Sequence, residues 1–207
     1  MRNILLAASL TSILLLGACG NDNENNLTQE SENAPQKDQS YTENPIEFIK
    51  KSDKDLLFST DDSVYKLVSV FENEKTDKDG FNTINQDGFE MKLGFALVKD
   101  QTTDEYMLGY FGENKNNTEE IVEFLGNIEF TTDTGEQIKP EGGRLVASNK
   151  LIKEYNPSTK AKGFAVVPLD YQDEKPKSIN VEIGELSYED LESDWGSAQT
   201  IENLKAK

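Results

Sequence analysis

From residue 62 onward, apolar and polar side chains alternate with a period of two. The clearest run is Phe89, Met91, Leu93, Phe95 and Leu97, set against Glu90, Lys92, Gly94, Ala96 and Val98. Large apolar side chains at every second position of an extended segment predict a half-buried strand. A denser β-branched run at 64–71 predicts a strand covered on both sides at one end. Further strands are predicted at 106–111, 121–125, 128–131, 136–139, 144–147, 151–155, 164–167 (closed by Pro168) and 179–183. Turn signals separate them: Asp79-Gly80, Asp87-Gly88, Gly142-Gly143, Asn156-Pro157 and Lys175-Pro176. Asp133-Thr134-Gly135 fits a three-residue hairpin turn in which Gly135 takes the left-handed conformation. Short strands at such spacing, with no helical pattern between them, predict an antiparallel sandwich or barrel; a parallel sheet needs crossover helices that these connections cannot hold.

The helical period shows at two places. In Asn44-Pro45-Ile46-Glu47, Asn44 can cap, Pro45 suits the first turn and Glu47 stands where a capping box places it. A short amphipathic helix over 45–52 follows, with Ile46, Ile49 and Leu56 on its apolar side. Near the other end, Ser187-Tyr188-Glu189-Asp190 resembles a cap. Tyr188, Leu191 and Trp195 at i, i+3 and i+7 predict a short C-terminal helix stopped by Gly196.

Ahead of the domain the pattern changes twice. Arg2 precedes the apolar run 4–16, which is shorter than the roughly 20 residues a bilayer span needs. Leu16-Gly17-Ala18-Cys19 follows and resembles the lipobox of bacterial lipoprotein signal peptides. That resemblance implies that Cys19 is joined to a diacylglycerol and that residues 1–18 are cut away as signal peptide. An ordinary secretory signal with small residues at its cleavage point is the alternative. Two acyl chains anchor firmly where one is reversible, so the expected location is the extracytoplasmic face of the cell membrane. Residues 19–44 are almost all polar and many are acidic, too poor in apolar side chains to offset the entropy of ordering. They are expected to form a disordered tether with a reach of roughly 25–30 Å, leaving 45–207 as the folded domain.

Composition then removes whole classes of chemistry. The chain has 39 Asp and Glu against 21 Lys and Arg, a net charge of −18. Removing 1–18 takes away Arg2 and no acid, so the remainder is more acidic still. Nucleic acid is therefore an unsuitable partner, because phosphate neutralisation needs clustered cations. The acidic body is also repelled by anionic head groups, so membrane contact is expected through the lipid alone. With no histidine, imidazole-based nucleophile systems and metal sites are excluded; with a single cysteine, so are an internal disulfide and a thiolate zinc cluster. No cofactor is expected.

Three segments carry a family resemblance: Tyr110-Phe111-Gly112-Glu113-Asn114-Lys115-Asn116-Asn117-Thr118, then Phe130-Thr131-Thr132-Asp133-Thr134-Gly135-Glu136-Gln137, then Lys162-Gly163-Phe164-Ala165-Val166-Val167-Pro168. A strand ending in an Asn-rich turn, a Thr/Asp/Gly hairpin and a late strand closed by proline, behind an anchor and acidic spacer, resemble the telokin-like, immunoglobulin-fold lipoproteins of Gram-positive bacteria. The resemblance spans about residues 60–185. It implies a mainly β fold, an antiparallel immunoglobulin-like β-sandwich with short flanking helices, and carries no catalytic residue across.

The candidate sites are few. Setting Gly80 at the glycine position of a calcium loop puts Asp77 and Asp79 on ligand positions, but Lys75 and Gln86 then stand where carboxylates are needed. The loop could still take a cation in another geometry. The acidic pairs Asp61-Asp62, Glu119-Glu120, Asp173-Glu174 and Glu189-Asp190 are what an acid-rich chain produces by chance, and no serine-nucleophile motif occurs. Tyr106, Tyr110 and Phe111 fit strand faces and are expected in the core. Asn116-Asn117-Thr118 reads as a polar turn. Sandwich domains commonly bind through end loops or strand edges. The expected binding loops are therefore 77–87 and 113–118, with Asp77, Asp79, Asn82, Asp87, Asn114 and Asn116 as their polar residues. The expected function is a non-catalytic binding module facing an envelope protein or small ligand. A carboxylate-dependent hydrolase or a cation-binding envelope protein is the alternative.

Overall fold

A computed structural model describes residues 39–139, 150–188 and 194–207. In chain order its elements are β1 (Ser40–Thr42), α1 (Pro45–Lys51), β2 (Leu56–Ser59), β3 (Val64–Glu72), β4 (Asn82–Gln86), β5 (Phe89–Asp100), β6 (Tyr106–Asn116), β7 (Val122–Phe124), β8 (Ile128–Thr132) and β9 (Gln137–Ile138). Then come β10 (Lys153–Tyr155), β11 (Lys160–Pro168), β12 (Ser178–Ile183), β13 (Leu186–Tyr188), β14 (Asp194–Trp195) and β15 (Gln199–Ala206). The fold is mainly antiparallel β. Its large sheet runs β11-β6-β5-β3-β15-β12-β8-β9, with β2 on β3, β1 parallel to β2, and β4 continuing along β5 beyond the end of β3. A smaller sheet has the order β10-β7-β13-β14.

The large sheet curls until its two halves face each other. Phe95 on β5 and Phe130 on β8 have three strands between them along the sheet, yet their rings meet edge to face at 6.2 Å. The period-two run explains this: Phe89, Met91, Leu93, Phe95 and Leu97 all enter one core with Phe130, Ile138, Val181 and Leu204 from the facing half. The opposite face of the same strand is buried as well. Ala96 and Val98 join Phe48, Ile49, Phe58, Tyr65, Phe111 and Phe164 in a second core, where α1 and β2 cover the back of the sheet. A chain that buries both faces of a strand shows continuous apolar character there, which is why 95–98 reads as Phe-Ala-Leu-Val. Close strand pairing also depends on Gly112. A Cβ there would meet the Lys92 carbonyl oxygen at 2.0 Å, so only glycine lets β5 and β6 run together at that point.

The N-terminal helix forms as its sequence predicts, with a variation at the cap. Asn44 Oδ1 accepts from the Ile46 amide at 3.1 Å, but the Asn44 amide donates to Thr42 Oγ1, and the Thr42 hydroxyl donates to Glu47. Thr42 thus relays the link that Glu47 makes directly in a capping box. Hydrogen bonds from Lys51 and Thr42 hold the Glu47 carboxyl below its ordinary range.

Four expectations change. The tether does not extend through residue 44: Ser40–Thr42 pairs with β2 and Thr42 is buried. Leu56, expected on the helix face, opens β2, whose apolar residues run together without the alternation that marks a strand. The C-terminal helix with Trp195 is replaced by strands at Leu186–Tyr188 and Asp194–Trp195. The polar tail beyond it forms β15, the strand that joins the two halves of the sheet. Residues 1–38, with Cys19, and the strand expected at 144–147 lie outside the described residues.

Candidate functional site

The two loops expected to bind are mostly not loops. Asn82 begins β4 and is buried, and β6 runs on through Asn116, so Asn114 and Asn116 sit inside the domain. Their direction follows from alternation: Leu108 and Tyr110 face the inner core, and the even positions 114 and 116 continue that face. Asn116 is a brace. Its Nδ2 donates to the Glu120 and Tyr155 carbonyls at 2.7 and 2.8 Å, and its Oδ1 accepts from the amide and hydroxyl of Thr118. It ties β6 to β10 and shapes the turn beyond. Asn114 is also fully buried, with its amide beside the Tyr155 hydroxyl. Burial pushes the nearby Tyr110 and Tyr155 hydroxyls up from their ordinary pKa; Tyr155 donates to the Leu151 carbonyl. These groups steady the interior and are not presented to a partner.

The acidic loop before β4 is likewise occupied by its own backbone. Asp77 Oδ1 accepts from the amides of Asp79 and Phe81, both at 2.9 Å, and its Oδ2 pairs with Lys92 at 3.0 Å. Asp79 pairs with Lys50 at the end of α1. Asp87 and Gly88 both have positive φ, as a two-residue type I′ hairpin requires. Among the described residues no three acidic side chains converge as they would around a cation. The six expected binding residues are thus divided: Asp77 and Asp79 lie by α1, Asp87 lies at the β4–β5 hairpin, Asn82 lies at the start of β4, and Asn114 and Asn116 lie inside.

Asp77 gives a pH prediction. Burial alone raises its pKa, but the Phe81 amide, Lys92 and the Asp79 amide outweigh that and hold it below the ordinary 3.8. A carboxyl with a lowered folded-state pKa contributes stability above the unfolded value, and loses it as pH falls through the folded one. Asp77→Asn should therefore melt below the wild type near neutrality, with the gap closing below about pH 4. Thermal melts of both proteins across that range check it; a gap that stays constant or widens in acid contradicts the assignment.

Among the described residues the surface carries several depressions, two of them broad. The first holds about 790 Å³ beside β1. Phe58 and Phe164, edge to face at 4.7 Å, lie at its base, and Tyr41, 58% exposed, stands at its rim with Lys162. The second holds about 720 Å³ and lies between β4 and β15. These two strands do not pair. One side chain bridges them: Gln199 Nε2 donates to the Asn85 carbonyl at 2.8 Å; beyond the strand ends, Gln86 Nε2 donates to the carbonyls of Gly184 and Ser197, and Asn73, which follows β3, donates from Nδ2 to the Glu202 carbonyl at 2.9 Å. The slot's strands share a sequence signal that composition obscured. Thr83-Ile84 and Thr200-Ile201 are β-branched pairs in amide-rich surroundings, and such pairs favour strands. Chemically the slot offers amides and main-chain groups, suited to hydrogen bonding.

No protein-family model matches the chain, and no curated protein matches it. A solved structure, described as that of a functionally unknown protein from Listeria monocytogenes EGD-e, is similar across 82% of this chain and 100% of its own, with 9% identity and a TM-score of 0.45. Similarity at that level carries nothing across to this chain.

Proposed function

We propose that this protein is a lipid-tethered binding module on the outer face of the cell membrane, without catalytic activity, and that its likeness to telokin-like lipoproteins reflects that role. The observation that carries the reading is the position of the chain's single cysteine, immediately after Leu16-Gly17-Ala18 at the end of an apolar run. Chemistry favours that residue for acylation, since a thiolate is the nucleophile a thioether needs. Two acyl chains would hold the protein firmly, and the polar stretch before Ser40 would serve as the spacer. The partner would be an envelope protein or small ligand met by the two broad depressions, while the acidic body stays clear of anionic lipid.

Growth of the host with radiolabelled palmitate tests the anchor. The wild type should take up label and sediment with membranes, whereas Cys19→Ala should take up none and pass into the medium. A wild-type protein without label, or a Cys19→Ala protein that still carries it, removes the basis of the proposal.

A further inference from the structure

We infer that the slot between β4 and β15 receives an extended peptide strand from a partner protein, bound from both sides through its main chain. The inference rests on reading the domain as a binding module and specifies what that module binds. β3 and β4 both run antiparallel to β5, and β15 runs antiparallel to β3, so β4 and β15 are antiparallel to each other. β4 pairs with β5 alone, and β15 meets β3 only at Lys205 and Ala206. Each strand therefore turns an open edge toward the other.

The bridging hydrogen bonds fix which main-chain groups face inward. The Asn85 carbonyl accepts from Gln199 across the slot, and the Glu202 carbonyl accepts on the same side of β15 from Asn73, which follows β3. Outward main-chain groups recur at every second residue of an antiparallel strand, so those of Thr83 and Thr200 face the same space. Five residues of edge on β4 give about 17 Å of donors and acceptors. Side-chain bonds at the ends hold the strands apart instead of letting them close into a ladder.

Asn82 provides a second, independent observation. It lines the slot, is only 4% exposed, and its Oδ1 takes the Thr76 hydroxyl while its Nδ2 has no acceptor among the described residues. A buried amide donor without an acceptor carries a desolvation cost that a ligand carbonyl or hydroxyl removes. Half-buried Ile201 adds apolar surface to the slot lining, and Ile84 lies on the same side, buried in the inner core. The strand that fits alternates small apolar side chains toward these isoleucines with polar ones toward solvent, and brings an acceptor to Asn82. Charge narrows the partner further. Around the slot Glu74 and Glu202 balance Lys75 and Lys205, and Glu72 is paired with Lys207. A second copy of this chain would bring a net −18 against −18. The occupant is therefore an uncharged or basic extended segment of a different protein.

The probe is the synthetic peptide acetyl-Lys-Thr-Val-Ser-Val-Thr-Val-Ser-Lys-amide, titrated into the protein purified from its host. Calorimetry should give a heat of binding, and hydrogen exchange should slow at the amides of Thr83 and Thr200. The same peptide N-methylated at alternate residues should lose binding. Thr83→Pro, which removes an edge donor, should weaken binding about tenfold or more, while Thr83→Val, with its main chain intact, should bind like wild type. No heat, no slowing at Thr83 and Thr200 under saturating peptide, or equal binding by the N-methylated peptide overturns the slot. Palmitate labelling of the same preparation reports separately on the anchor, so either reading can fail while the other stands.

Discussion

Removal of residues 199–207 is expected to abolish cooperative folding. β15 is paired along β12 and also with the end of β3, so it is the join between the two halves of the large sheet. Leu204 is fully buried in the inner core. The Ala206 amide donates to the Lys177 carbonyl at 2.8 Å and the Lys207 amide to the Val70 carbonyl at 3.0 Å, binding both halves to one strand. Without it, the edges of β12 and β3 are unpaired, and such edges aggregate. The truncated chain should lose its near-ultraviolet circular dichroism and its sharp thermal transition. A truncated protein melting within about 5 °C of the whole chain would show that the join is dispensable.

Phe58→Ala is expected to cost about 3–5 kcal/mol, the range for removing a buried phenylalanine ring. Phe58 is 1% exposed and lies among four rings: Phe164 at 4.7 Å, Phe48 at 5.3 Å, Phe111 at 5.6 Å and Tyr65 at 6.4 Å. These come from α1, β3, β6 and β11, so the lost ring leaves a void that no single element can collapse to fill. For a domain of this size the melting temperature should fall by roughly 10 °C. Phe58→Leu, which keeps most of the volume, should lose less than half as much. A fall below about 3 °C for Phe58→Ala would mean that α1 and β2 are not held to the sheet through this ring.

The parts of the fold legible in the sequence are those where one face is buried and the other is wet. β5, β12 and the hairpin at Gly135 follow from alternation and turn chemistry, and Gly135 does take a positive φ. β15 was hidden by a bulge. Asn203 has φ 56° and the register against β12 shifts between Ile179 and Val181, so the inward residues are Ile201 and Leu204, three apart instead of two. A spacing of three also makes a short run look helical, as at Tyr188 and Leu191. The interior asparagines depart from expectation for a different reason. Composition assigns Asn to turns because its side chain competes for the backbone, and Asn116 does satisfy backbone groups, but from inside the domain. Of the candidate site, the amide-rich strands bordering the slot were visible only as loop-like sequence; the facing of Thr83 and Thr200 depends on pairing across more than a hundred residues.

The join at β15 also governs when the domain can form. Its partners on β3 lie near the start of the folded region, so the sheet cannot close until almost the whole domain is available, and pairings this distant in sequence are slow to form. Under the proposed export route, a ribosome-bound or partly threaded chain would remain extended, in the state a translocation channel accepts. Closure would wait until the final strand emerged on the far side.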